Sequence, residues 1–203
     1  MSNWCLPVLW PPGRKPVHVV DLDRDGEPEV VVDLHRSGAH GRRYSLAYRY
    51  FPLSGSYRKV LHSWGEVFYE LRDLDRDRRP EFVSGDDRFG AAFTSFAGSY
   101  YPIRIWRWDH ARLVDVTRGY ATLIRADERQ LWREYLRERQ REDPDVRGIL
   151  AAWLADKYLL GEATDGWRRL QEATRRGDLR GWPTSAESYL KDLRAFLVRT
   201  GYS

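Results

Sequence analysis

The chain is 203 residues long, enough for one domain or two small ones. Hydrophobic residues make up 42% and aromatics 14%, which excludes wholesale disorder, and no stretch approaches the roughly 18 consecutive apolar residues of a membrane span. The net charge is +4, but residues 1–119 hold 18 basic and 16 acidic side chains and residues 120–203 hold 16 and 14, so the basic face of a nucleic-acid binder is not expected.

The opening MSNWCLPVLWPPG has neither a basic n-region nor a long apolar h-region, so no export signal is expected within it. Cys5 is the sole cysteine, which excludes an internal disulfide and a cysteine-rich zinc site. Up to about Thr117 the pattern is strand-like. Short β-rich runs stand at 17–20, 29–34, 44–51, 57–64, 67–72, 81–85 and 102–108. Turn pairs such as Asp25-Gly26, Ser37-Gly38, Ser54-Gly55 and Trp64-Gly65 separate them. This spacing predicts an antiparallel meander. Tyr44, Leu46, Tyr48 and Tyr50 alternate at period two and should share one face.

After residue 120 the period becomes helical. Leu131, Trp132, Tyr135 and Leu136 make one stripe, and a second helix should start after Asp145 and carry Ile149, Leu150, Trp153 and Leu154. A third begins near Thr164 and stops at Gly177. The fourth starts at a capping box of Thr184 and Glu187 and ends at Gly201. The reading is an α+β protein: a β-rich repeat domain over 1–119 with two acidic hairpin loops, then a helical bundle over 120–203 packed on the sheet.

The two loops carry the chemistry. In VVDLDRDGEPEVVV, Asp21, Asp23 and Asp25 alternate, Gly26 follows, and Glu29 closes the set. Hard cations such as Ca²⁺ take about six to eight oxygens, and carboxylates at alternate positions of a tight turn can converge on one ion. The backbone carbonyl of Glu27 would add a further ligand, and Gly26 permits the sharp turn. Four unneutralised carboxylates this close would repel one another, which is the physical case for a bound ion. β-Branched runs flank the loop and Val32 stands where an EF-hand has its bidentate Glu, so the loop should join strands.

The second loop, LRDLDRDRRPEFVSG, repeats the pattern. Asp73, Asp75, Asp77 and Glu81 follow their counterparts by 52 residues, and Pro80 matches Pro28. Arg79 stands at the carbonyl-ligand position. Arg78 replaces the glycine, which costs roughly 1 kcal/mol if positive φ is required, so this loop should hold metal less well.

With their flanking strands, these loops resemble the FG-GAP/VCBS-type repeats of integrin-α-like β-propellers and of bacterial exported proteins. The resemblance covers about residues 17–116 and is specific only in the two loops, where Glu29 and Glu81 replace the usual closing Asp. It implies calcium, a blade-like partial propeller, and a secreted or extracytoplasmic location with any signal peptide lying outside the sequence given. It does not imply catalysis.

The expected function is therefore a non-catalytic calcium-binding interaction module with structural Ca²⁺ and a protein or glycan partner. The surplus of tyrosine and tryptophan either packs against the helices or forms the recognition surface. The alternative is a carboxylate-dependent hydrolase acting on a cell-wall or other glycan, with Glu66, Glu70, Asp86 and Asp87 as candidate acids. No HExxH, GxSxG, P-loop or GxGxxG motif is present.

Overall fold

The computed structural model describes residues 5–7, 15–36, 41–180 and 184–203. The Ser37-Gly38 turn and the Cys5 side chain lie outside the described residues. The chain forms two compact units. One comprises Met1–Asp87 with Arg104–Val116, and the other comprises Arg88–Ile103 with Thr117–Ser203. The first is built of strands and the second of helices, so the class is α+β.

The β unit holds two antiparallel sheets. Sheet A contains β1 (Cys5–Pro7), β2 (Val17–Val20), β3 (Glu29–Arg36), β4 (Arg43–Phe51) and β5 (Ser56–Gly65). Glu29–Val32 of β3 pair with β2, and Leu34–Arg36 pair with β1, while β4 and β5 follow on the other side. Sheet B contains β6 (Glu70–Arg72), β7 (Glu81–Gly85), β8 (Ile103–Trp108) and β9 (Leu113–Asp115) in sequence order. The runs at 17–20, 29–34, 44–51, 57–64 and 81–85 are strands, as the alternation predicts. The run at 67–72 is a strand only from Glu70, and the short β1 and β9 carry too few residues to show a period.

Alternation decides what each sheet buries. Val31, Ala47 and Trp64 of sheet A, with Leu22 of the β2–β3 loop, meet Phe82 and Trp108 of sheet B, with Tyr69 just before β6, in one apolar core. Trp64 stacks on Phe82 at 5.6 Å between ring centroids and lies 4.6 Å from Tyr69. The meander is thus two stacked sheets rather than one, and the repeat seen in the loops is the repeat of the sheets.

The helical unit contains α1 (Ala121–Glu138), α2 (Arg147–Leu159), α3 (Ala163–Arg176) and α4 (Ala186–Arg199). Helix α2 is its axis: every residue from Ile149 to Ala155 is buried, as expected of a helix apolar on all sides. Gly166 lets α3 cross it closely, since a Cβ there would meet Leu154 Cδ1 at 2.5 Å. Phe89 and Phe93, from the segment preceding β8, pack edge-on against Phe196. The predicted Thr184 cap is displaced by one residue. Arg147 donates to the Thr184 hydroxyl at 3.0 Å, and Ser185 instead accepts from the Ser188 amide at 3.1 Å. Gly177 ends α3 in the left-handed conformation at φ 83°.

Candidate functional site

Each acidic loop links a short strand to the strand that follows, and each is built from its own carboxylates. In the first loop, Asp21 accepts from the amides of Asp25 at 3.2 Å and Gly26 at 3.0 Å, and Asp25 accepts from the Glu27 amide at 2.9 Å. Glu29, fully buried at the start of β3, accepts from the Leu22 amide at 2.9 Å. The second loop reproduces this scaffold. Asp73 accepts from the Arg78 amide at 3.1 Å, Asp77 from the Arg79 amide at 2.8 Å, and the fully buried Glu81 from the Leu74 amide at 3.0 Å.

The backbones also match at the strained positions. Arg24 and Arg76 share φ near 60°, and Gly26 at 89° is matched by Arg78 at 69°. Arg78 therefore does take the left-handed conformation that its glycine counterpart accepts more readily. The two loops meet where Arg24 donates to the Asp77 carbonyl at 3.4 Å.

Carboxylate oxygens converge in both. One oxygen each from Asp21, Asp23 and Glu29 lies within 4.8 Å of the others, and Asp73, Asp75 and Glu81 do the same. Asp25 and Asp77 stand at the rim, engaged by arginines. For Glu27 and Arg79 the hydrogen bonds described involve the amides, together with the Arg79 side chain, which pairs with Asp77 at 2.8 Å.

An internal cation reaches each cluster from a later strand. Arg49 of β4 pairs with Asp23 and Asp25 and lies 3.3 Å from Glu29. Arg107 of β8 pairs with Asp75 at 2.6 Å and with Glu81 at 2.5 Å, and stands 3.9 Å from Asp77. Sequence reasoning missed both arginines, though a signal exists. Arg49 continues the row of Ser45 and Ala47 that faces sheet B, and Arg107 continues the row of Ile103 and the fully buried Ile105, on the face of sheet B opposite Trp106 and Trp108; an arginine in line with buried residues needs an anion.

The electrostatics then diverge. Burial pushes the Glu29 carboxyl up to about 7, and Asp23 and Asp25 push the same way against the Leu22 amide and Arg49. Asp23 Oδ1 is buried and meets no donor among the described residues. At Asp77 burial works against ionisation, but the Arg79 bonds and the charge of Arg107 hold its carboxyl below the ordinary range. The first loop thus keeps an under-compensated oxygen and a buried acid short of positive charge. These residues fit a hard divalent cation, and the second loop has met more of that need with guanidinium.

Of the other candidate acids, Asp86 and Asp87 hold the fold. Asp86 is buried and accepts from Arg104 at 3.0 Å. Asp87 accepts from the Glu66 amide at 2.6 Å and lies against Gly65, where a Cβ would sit 1.8 Å from its carboxylate. Glu70 is exposed on β6.

A second acidic group lies in the helical unit. Asp156 of α2 is fully buried, and no donor among the described residues reaches either carboxyl oxygen. Burial drives its carboxyl well above the ordinary range, with Asp127 of α1 and Glu128 adding to the effect. Lys157, also buried, instead pairs with Glu162 and, at 2.8 Å, with Asp165.

A family model described as the sll0997 C-terminal domain matches residues 124–201, most of the helical unit. The chain is similar to the probable thylakoid lumen protein sll0997 of Synechocystis sp. (strain ATCC 27184 / PCC 6803 / Kazusa), at 33% identity over 92% of this chain and 60% of that protein. It is also similar to the uncharacterized protein y4bJ of Sinorhizobium fredii (strain NBRC 101917 / NGR234), at 30% identity over 92% of this chain and 32% of that protein. The chain therefore spans 60% of one of these curated relatives and 32% of the other. No solved structure matches it.

Proposed function

We propose that this chain is a non-catalytic, calcium-stabilised interaction module of an extracytoplasmic protein, with Ca²⁺ held in the first acidic loop. The observation that carries the metal assignment is the convergence of Asp21, Asp23 and Glu29 within 4.8 Å, with a buried Asp23 oxygen that no donor reaches. A bound divalent ion would supply the missing positive charge and pin the β2–β3 turn; its role there is structural. Asp21, Asp23 and Glu29 would hold it, with Asp25 and the Glu27 carbonyl at the rim. The resemblance of both loops to FG-GAP/VCBS-type repeats supports calcium over magnesium, as does the flexible all-oxygen donor set.

The location rests on a relative that is named a probable thylakoid lumen protein. Among the described residues, no helix is long and apolar enough to cross a membrane. The non-catalytic reading is supported by Asp86 and Asp87, the adjacent acids of the β unit, whose carboxylates accept from Arg104 and from the Glu66 amide.

Calorimetric titration of the EDTA-stripped chain with CaCl₂, paired with thermal melts, tests the metal. Saturable binding to wild type that disappears in Asp23→Ala and persists in Asp75→Ala is expected. Absence of heat and of any melting shift overturns the assignment.

A further inference from the structure

The two sheets repeat one pattern, and comparing them position by position shows one face of sheet A exposed among the described residues. Sheet B buries a face made by Leu71 of β6 with Tyr69 just before it, Phe82 of β7, Trp106 and Trp108 of β8, and Leu113 of β9. The loop repeat fixes the counterparts in β2 and β3, 52 residues earlier. The matched arginines, 58 residues apart, fix those in β4, and strand register fixes the one in β5. The counterparts are Val17, Val19, Val30, Tyr48, Tyr50 and Tyr57.

In sheet A these residues point away from the core that Val31 and Ala47 enter. Val17 is 47% exposed, Val19 68% and Tyr57 60%. Leu61 of β5, paired with Leu46, is exposed on the same side. An antiparallel sheet with one free face normally turns polar residues outward. Here the outward rows run Val17–Val32–Leu46–Leu61 and Val19–Val30–Tyr48–Lys59 across four strands. Lys59 is the one charged side chain in those two rows.

We infer that this face of sheet A is a docking surface for a second copy of the chain, which packs the same face against it about a two-fold axis. Three arguments select that occupant. The corresponding face of sheet B is already buried against a sheet, so the chemistry suits sheet-on-sheet packing at about 10 Å. In a second copy the inner face of sheet A is taken by its own sheet B, whereas the outer face is available. The two rows hold no carboxylate and one ammonium, so self-contact meets little charge repulsion and no charge selects a different partner.

The area is consistent with a reversible dimer. Four strands about 4.8 Å apart, about seven residues long, make a plate of roughly 450 Å². Two plates cover roughly 900 Å², near the ~1,000 Å² at which specific association begins. Dissociation in the micromolar range follows, rather than an obligate dimer.

This inference names the partner of the interaction module proposed above and rests on that part of the reading, not on the bound ion. The test is sedimentation equilibrium of the whole chain from about 5 to about 200 µM, in EDTA and again in CaCl₂. A monomer–dimer equilibrium is expected in both. Val19→Lys with Leu61→Lys should raise the dissociation constant at least about ten-fold, and Val198→Lys on α4, equally exposed, should leave it unchanged. All three positions are exposed, and far-UV circular dichroism checks that the variants fold. A monomer throughout the range, or a dimer indifferent to the double substitution, overturns the proposal. A monomer that still binds Ca²⁺ overturns self-association alone, and a monomer that binds none overturns the metal reading as well.

Discussion

The two acidic loops share a backbone, a hydrogen-bond scaffold and four carboxylates, yet they are neutralised differently. In the first, one guanidinium spans Asp23, Asp25 and Glu29, and Asp23 Oδ1 meets no donor among the described residues. In the second, Arg107 joins Asp75 to Glu81 while Arg79 covers Asp77. Copying a turn copies its geometry but not its charge balance. A carboxylate cage that keeps its glycine and has few arginines around it is left with a demand for a cation. In the second cage Arg79 at position seven and Arg107 from β8 supply positive charge to the same acids.

Arg107→Ala breaks the comparison most severely. It removes from Glu81, fully buried, the guanidinium that pairs with it. Removing one partner of a buried pair costs about 3–5 kcal/mol, so the urea midpoint should fall sharply and to the same extent with or without Ca²⁺. Arg49→Ala should cost a comparable amount in EDTA and much less in CaCl₂, because an ion can replace the guanidinium there. Equal losses in both media for both variants would show the loops to be equivalent.

Calcium itself should act on one loop only. At a free concentration about 100-fold above its dissociation constant, a ligand that binds only the folded state adds about 2.7 kcal/mol. That increment should appear in wild type and in Asp75→Ala, and vanish in Asp23→Ala. A shift abolished by either substitution would place ions in both loops.

What the sequence reveals here depends on distance along the chain. The loops, the strands beside them and the helical stripes are local patterns, and they are legible. Arg49 lies 20 residues from Glu29, and Arg107 lies 26 from Glu81, so their roles emerge only when β4 and β8 align with the loops. The Thr184 cap misleads because Arg147, 37 residues earlier, claims that hydroxyl. The alternation of Tyr44, Leu46, Tyr48 and Tyr50 gives the shared face but not which way it points. That depends on sheet B covering the opposite side.

The helical unit offers a third way to handle an acid: to bury it beside other acids, Asp127 and Glu128, which favours its protonated form. The folded-state carboxyl of Asp156 lies well above its ordinary value near 3.8. The folded state therefore binds the proton more tightly than the unfolded chain does. Its contribution is fully present below about pH 4 and is lost as pH rises through the folded value. Asp156→Asn, which keeps the shape and cannot ionise, should stabilise the chain more at pH 8 than at pH 4, because only the wild type must hold a carboxyl away from its ordinary value. The difference between variant and wild type is the quantity to measure. Glu162 and Asp165, held low by Lys157 and neighbouring arginines, lose their contributions in the opposite direction as the medium is acidified. A constant difference between variant and wild type across this range would remove the buried-proton reading.

The smallest effect concerns position six of the loops. Arg78 pays for a left-handed backbone at φ 69° that Gly26 adopts freely. The conformation costs an L-residue roughly 1–2 kcal/mol, while glycine gives back about 0.4–1 kcal/mol through a freer unfolded chain. Arg78→Gly should therefore raise stability by about 0.5 kcal/mol, with the Asp73 bond kept because the backbone amide supplies it. The substitution also removes one positive charge from the second loop. If the charge balance separates the loops, Arg78→Gly alone should leave the second loop unresponsive to Ca²⁺, since Arg107 and Arg79 still hold its acids. Pairing it with Arg79→Ala should produce a second, weaker binding event in the calorimeter. Calcium binding by the single variant would instead mean that backbone strain, not guanidinium, had been keeping the ion out.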